Sequence, residues 1–169
     1  MPFFDFVAFD VETTGLDVER DAIVEIAAVK FSAGEAGEVF ESLIHPGRSI
    51  PLQSTRIHGI TDEMVEDSPM ISEIMGSFTG FCGDLILVAH HAPFDVQFLA
   101  WAVERYKTRA PAGVILDSCA IARQVCPDLF GYSLGSLVNH FRIPHSRLHR
   151  AVADAAHCGE LFLKLLTLL

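Results

Sequence analysis

FFDFVAFDVETTG, residues 3–15, opens with a run, residues 3–10, that is apolar on both faces. A strand of that kind must be covered on both sides, which makes it central in a sheet. Asp10 and Glu12 stand two apart at its end. Period-two alternation puts both carboxylates on the face of Phe6 and Ala8. Two like charges side by side on a buried strand repel one another and lose hydration, and a cation between them offsets both costs. Hard divalent cations favour such oxygen ligands. D-x-E alone fits a pair of surface acids or a helix cap equally well. Thr13, Thr14 and Gly15 follow as a hydroxyl-rich turn whose backbone can approach a phosphate.

Downstream of this strand, residues 22–31 (AIVEIAAVKF) and 38–45 (EVFESLIH) form two more. The short SAGEAGE turn between them pairs the two as a hairpin. Prolines 46, 51 and 69 mark residues 46–69 as loop, with a short helix near 53–58. Asp67-Ser68-Pro69 reads as the start of a helix over 70–82, with Pro69 near the first helical position. Residues 85–90 are a short buried strand, and Pro93 opens a helix that runs to about 106. Another strand at 114–117 and helices at 119–126, 133–141 and 151–168 complete the pattern. The order implies an α/β fold: one domain over 1–169, a mixed sheet with an N-terminal antiparallel hairpin, and helices on both faces.

Half of the 169 residues are hydrophobic, and mean hydropathy is +0.36, enough for a sizeable core. The formal net charge of −10 excludes non-specific coating of duplex nucleic acid, which runs on Lys and Arg. It leaves room for a nucleic-acid enzyme whose bound cations supply positive charge locally. Cys82, Cys119, Cys126 and Cys158 show no C-x-x-C spacing, and Met-Pro-Phe-Phe-Asp lacks a basic leader, so the expectation is a cytoplasmic protein with reduced thiols. The longest greasy stretch, 161–169, is broken by Lys164 and is too short to span a membrane.

Asp95 lies in the first turn of the helix opened by Pro93, on the face of Leu99, Ala102 and Tyr106. An acid there also suits the helix dipole. Asp154 falls at the edge of the last helix's apolar stripe (Ala155, Cys158, Phe162, Leu165, Leu169), with His157, Glu160, Lys164 and Thr167 on the wet side. A half-buried carboxylate needs a partner, and a metal is one option. His149, five residues before Asp154, cannot share its helical face. On a loop ahead of the helix it can swing over the same site, where an imidazole suits deprotonation of water; a surface loop histidine would read alike.

The runs FDVETTG (9–15), AHHAPFD (89–95) and HRAVADA (149–155) resemble, in that order, the three motifs of the DEDDh exonuclease family. The branch they resemble is that of the proofreading epsilon subunit of bacterial DNA polymerase III. IHGIT (57–61) is similar to a further segment of that branch. His149 occupies the slot five before Asp154 that defines the histidine subtype. His91 stands where the second motif usually has Asn, a departure that leaves all four carboxylates intact.

The resemblance implies a ribonuclease H-like fold and hydrolysis from single-stranded nucleic-acid 3′ ends, releasing nucleoside 5′-monophosphates. It further implies two metal ions, Mg²⁺ with Mn²⁺ as substitute, held by Asp10, Glu12, Asp95 and Asp154, with His149 taking the proton from the attacking water. Leu16 would wedge against terminal bases, while His58, Ile60 and Phe94 would shape the sugar and base pocket. Arg142, Arg147 and Arg150, a basic patch in an acidic chain, would track the phosphates. DNA of the proofreading or repair type is one substrate, with a polymerase as possible partner. RNA, as for oligoribonuclease and ribonuclease T, is the other, and the catalytic residues do not separate the two. A non-catalytic binding module has no reason to keep half-buried, unpaired carboxylates.

Overall fold

The computed structural model describes residues 4–144 and 149–169. Its centre is strand β1 (Phe6–Thr13), flanked by β2 (Ile23–Ser32) on one side and β4 (Ile86–Ala89) on the other. With β3 (Glu35–Leu43) and β5 (Ile115–Asp117) the sheet order is β3-β2-β1-β4-β5. The β1–β2 and β2–β3 pairs are antiparallel, whereas β1–β4 and β4–β5 are parallel. This is the expected mixed sheet.

β1 runs further than the sequence suggests, so Asp10 and Glu12 lie within it rather than at its end; Phe3, the expected first residue, lies outside the described residues. The β2–β3 turn is tighter than SAGEAGE implied. Only Ala33 and Gly34 turn, both at positive φ (52° and 85°), the pattern that matches the twist of paired strands.

The alternation of β1 assigns its two faces. Val7, Phe9 and Val11 pack against α3 (Ile71–Cys82) and α4 (Ala92–Tyr106). Phe6 and Ala8 pack against α7 (Ala151–Leu166), with Phe6 stacked on Phe31 at 4.9 Å and edge-on to Phe162 at 5.0 Å. α7 approaches so closely at Gly159 that a Cβ there would stand 2.1 Å from the Phe31 ring. Helices α5 (Ser118–Val125) and α6 (Leu134–His140) lie on the α7 side, Ala122, Leu137 and Val138 clustering with Leu161 and Leu165.

Four expectations are corrected. α3 does not start on Pro69, whose carbonyl is taken by the His45 amide; Glu73 instead turns back to accept the Met70 N–H at 2.8 Å. Between α1 (Leu52–His58) and α3 lies an unexpected short helix, α2 (Asp62–Val65). His157 is buried rather than wet, because α7 sits deep enough against the sheet to cover more than one stripe. Leu169 lies beyond α7 and is exposed.

Candidate active site

Period-two alternation carries the face of Phe6 and Ala8 on to Asp10 and Glu12, and α7 brings Asp154 over that face. Carboxylate oxygens of Asp10, Glu12 and Asp154 all lie within 4.8 Å of one another. Burial pushes the Asp10 carboxyl well above its usual range, with repulsion from Asp95, Glu12 and Asp154 adding to it. Burial, with repulsion from Asp154, Glu25 and Asp95, raises Glu12 to about 8. Asp154 is 9% exposed; its Oδ2 accepts the His149 amide at 3.1 Å, and its Oδ1 is buried with no hydrogen-bond partner among the described residues.

Asp95 is 2% exposed and reaches β1 from the first turn of α4. β4 pairs with β1 only as far as Ala8, so the Val11 N–H has no strand partner on that side. Asp95 Oδ1 accepts it at 3.1 Å. Burial raises Asp95 to about 8 despite that bond. Asp95 stands outside the close triangle of the other three carboxylates.

His149 lies on the loop before α7, exposed, with φ 64°, in the left-handed region that non-glycine residues seldom adopt. Arg150 follows as the N-cap of α7. Its side chain does not face open solvent as a phosphate track would. Nε and Nη2 donate to Glu25 at 3.0 and 2.5 Å, and Nη2 lies 3.6 Å from Glu41. Glu25, fully buried opposite Glu12 on β2, also accepts the Ala151 N–H at 2.8 Å, so it caps α7 and pairs with its N-cap residue at once. Sequence reasoning missed Glu25; an acid in the middle of AIVEIAAV, residues 22–29, was its one signal. Arg142, the patch's other described member, is exposed, and Arg147 lies outside the described residues.

The Thr-Thr-Gly turn is locked from within. Thr13 Oγ1 donates to the Gly15 carbonyl at 2.6 Å, and Thr14 Oγ1 donates to Asp21 and accepts the Ala22 N–H. A Cβ on Gly15 would lie 2.3 Å from the Asp21 carboxylate, so a larger residue there would push Asp21 off its bond to Thr14. Ser54 of α1 donates to the Thr14 carbonyl and ties that helix to the turn. Between them, bordered by Glu12, Leu16, His58 and Phe94, is a groove of about 520 Å³. Leu16 is 81% exposed beside it. His58 is buried, its Nδ1 accepting the Ile60 N–H at 3.0 Å, and burial lowers its pKa. Ile60 is not a pocket residue: it is fully buried with Val24, Ile50 and Val65.

Residues 7–162 match the family model described as Exonuclease, and the chain belongs to that family. Its sheet and flanking helices are the ribonuclease H-like fold of exonucleases. It is 35% identical to the DNA polymerase III subunit epsilon of Aquifex aeolicus, across 95% of this chain and 80% of that protein. It is 39% identical to the PolC-type DNA polymerase III of Oceanobacillus iheyensis over 95% of its own length but only 11% of that polymerase's. Among solved structures, exonuclease X in complex with 5′ overhanging duplex DNA superposes with a TM-score of 0.77 at 28% identity, covering 96% of this chain and 91% of that one. Family membership brings divalent-metal dependence, and the carboxylate cluster is a fitting place for it. No helix among the described residues is long and apolar enough to cross a membrane.

Proposed function

We propose that the chain is a single-domain 3′–5′ exonuclease that hydrolyses single-stranded 3′ ends of DNA to nucleoside 5′-monophosphates, in proofreading or repair. The observation that carries this reading is the convergence of Asp10, Glu12 and Asp154 within 4.8 Å, with Asp154 Oδ1 buried and unpartnered. An all-oxygen set of crowded, desolvated carboxylates fits hard divalent ions. Asp10, Glu12 and Asp154, with Asp95 behind them, would hold two such ions, Mg²⁺ in the cell and Mn²⁺ as substitute. When bound, these ions polarise the phosphodiester and acidify the attacking water. His149 takes the proton from that water, its exposed loop giving it access to solvent and substrate.

Leu16, His58 and Phe94 border the groove next to Glu12, where they receive the terminal sugar and base. The backbone of Thr13, Thr14 and Gly15 forms the wall nearest the phosphate. Arg150 serves the substrate by holding the start of α7 in place. The names of the relatives support DNA over RNA and a replicative polymerase as partner in the cytoplasm. The test is digestion of matched 5′-labelled DNA and RNA oligonucleotides with Mg²⁺. A ladder shortening from the 3′ end on DNA is expected. Preference for RNA, or no shortening of either, would overturn the reading.

A further inference from the structure

A second cluster of ligand atoms lies on the far side of the β4–α4 turn. Side-chain donors of His90, His91 and Cys119 all lie within 4.8 Å of one another. These are two imidazoles and a thiol, a softer set than the four carboxylates. His91 Nε2 and Cys119 Sγ are 3.4 Å apart. Ligands on a tetrahedral Zn²⁺ with ordinary Zn–N and Zn–S bonds stand ~3.3–3.6 Å apart. His90 Nε2 and Cys119 Sγ share one acceptor, the Tyr132 carbonyl, at 2.8 and 3.5 Å.

The surrounding bonds hold this arrangement in place. Asp117 Oδ1 accepts the backbone N–H of both His91 (3.0 Å) and Cys119 (2.9 Å), fastening the turn after β4 to the start of α5. His91 sits at φ 61°, a conformation few non-glycine residues adopt unless their surroundings enforce it. His90 Nδ1 faces Ser118 Oγ at 2.9 Å. That contact orients a histidine for binding through its other nitrogen. Cys119 is buried but His91 is exposed, so an ion has a way in from solvent.

We propose that His90 Nε2, His91 Nε2 and Cys119 Sγ bind a thiophilic divalent cation of the zinc class, with water completing the coordination. Binding releases the Cys119 thiol proton to solvent. The His90 ring proton, held on Nε2 by the Tyr132 carbonyl in the ion-free chain, moves to Nδ1, where Ser118 Oγ accepts it, and the Tyr132 carbonyl turns aside to admit the ion. The ion cross-links the β4–α4 turn to α5, and the helix it steadies is the one that carries Asp95.

The experiment is titration of the purified chain with Co²⁺ under reducing conditions, read as thiolate-to-cobalt charge-transfer absorption in the near ultraviolet. Cobalt on oxygen ligands gives no such band, so the carboxylate cluster stays silent. The band should saturate as a single class of site and excess Zn²⁺ should bleach it, as zinc binds nitrogen and sulfur sites more tightly than cobalt. Cys119→Ser should abolish the band, His91→Asn should weaken binding at least tenfold, and Asp10→Asn should leave it unchanged. Because His91 is exposed, its variant keeps the test sound even if Cys119→Ser folds poorly. Absence of a band in the wild-type chain, or a band of wild-type affinity in His91→Asn, would overturn the proposal.

Discussion

Asp10 illustrates how a single residue can oppose the fold that holds it. Half-buried beside Glu12, Asp95 and Asp154, it costs stability whenever no cation is bound. Asp10→Asn should therefore abolish hydrolysis yet raise the melting temperature in EDTA, a pairing that a purely structural carboxylate would not give. His149→Ala should lower turnover about 10²–10⁴-fold. Divalent-ion affinity should be unchanged, because the side chain is exposed and only the backbone N–H bonds Asp154. Single-turnover digestion and calorimetric ion titration would check the two halves. Spacing alone left these residues ambiguous, since D-x-E also suits surface acids and a histidine five before Asp154 also suits a surface loop; the resemblance of their three runs to the exonuclease motifs is what singled them out. Glu25 was not singled out, since what makes it matter is an arginine 125 positions away.

At the scale of elements, two of the contacts that seat α7 are the Glu25 clamp at its N-terminus and the close approach of Gly159 to Phe31. Arg150→Ala leaves Glu25 buried with only the Ala151 amide to face it, and should cost about 3 kcal/mol in urea unfolding. Gly159→Ala should destabilise by about 1–3 kcal/mol, although alanine is the better helix former, because the methyl group has nowhere to go. A neutral or stabilising result would mean that α7 can shift outward without penalty. Apolar runs, prolines and turn residues revealed every described strand and all described helices but α2, whose four residues are too few to carry such a signal. Hydrophobic period failed on His157 for the opposite reason: a helix packed against two strands buries more than one stripe, and residue type alone made His157 look wet.

For the whole molecule, the carboxylates couple folding to pH and to ions. Unfolded, Glu12 and Asp95 release their protons near pH ~4; folded, they hold them to about pH 8. Between those limits the folded chain binds more protons than the unfolded one, so stability in chelator falls as pH rises through the window and levels off above it. Divalent ions replace those protons. The melting temperature in Mg²⁺ should exceed that in EDTA by a margin that widens from about pH 5 to pH 8. A margin independent of pH would sever ion binding from these carboxylates.

The clamp on α7 has a consequence during synthesis. Glu25 leaves the ribosome before Arg150 and Ala151, its partners, which follow 125 and 126 positions later. A nascent chain that has not reached residue 154 lacks the third of the clustered carboxylates. The cluster is completed only once α7 has been made and has docked on the sheet.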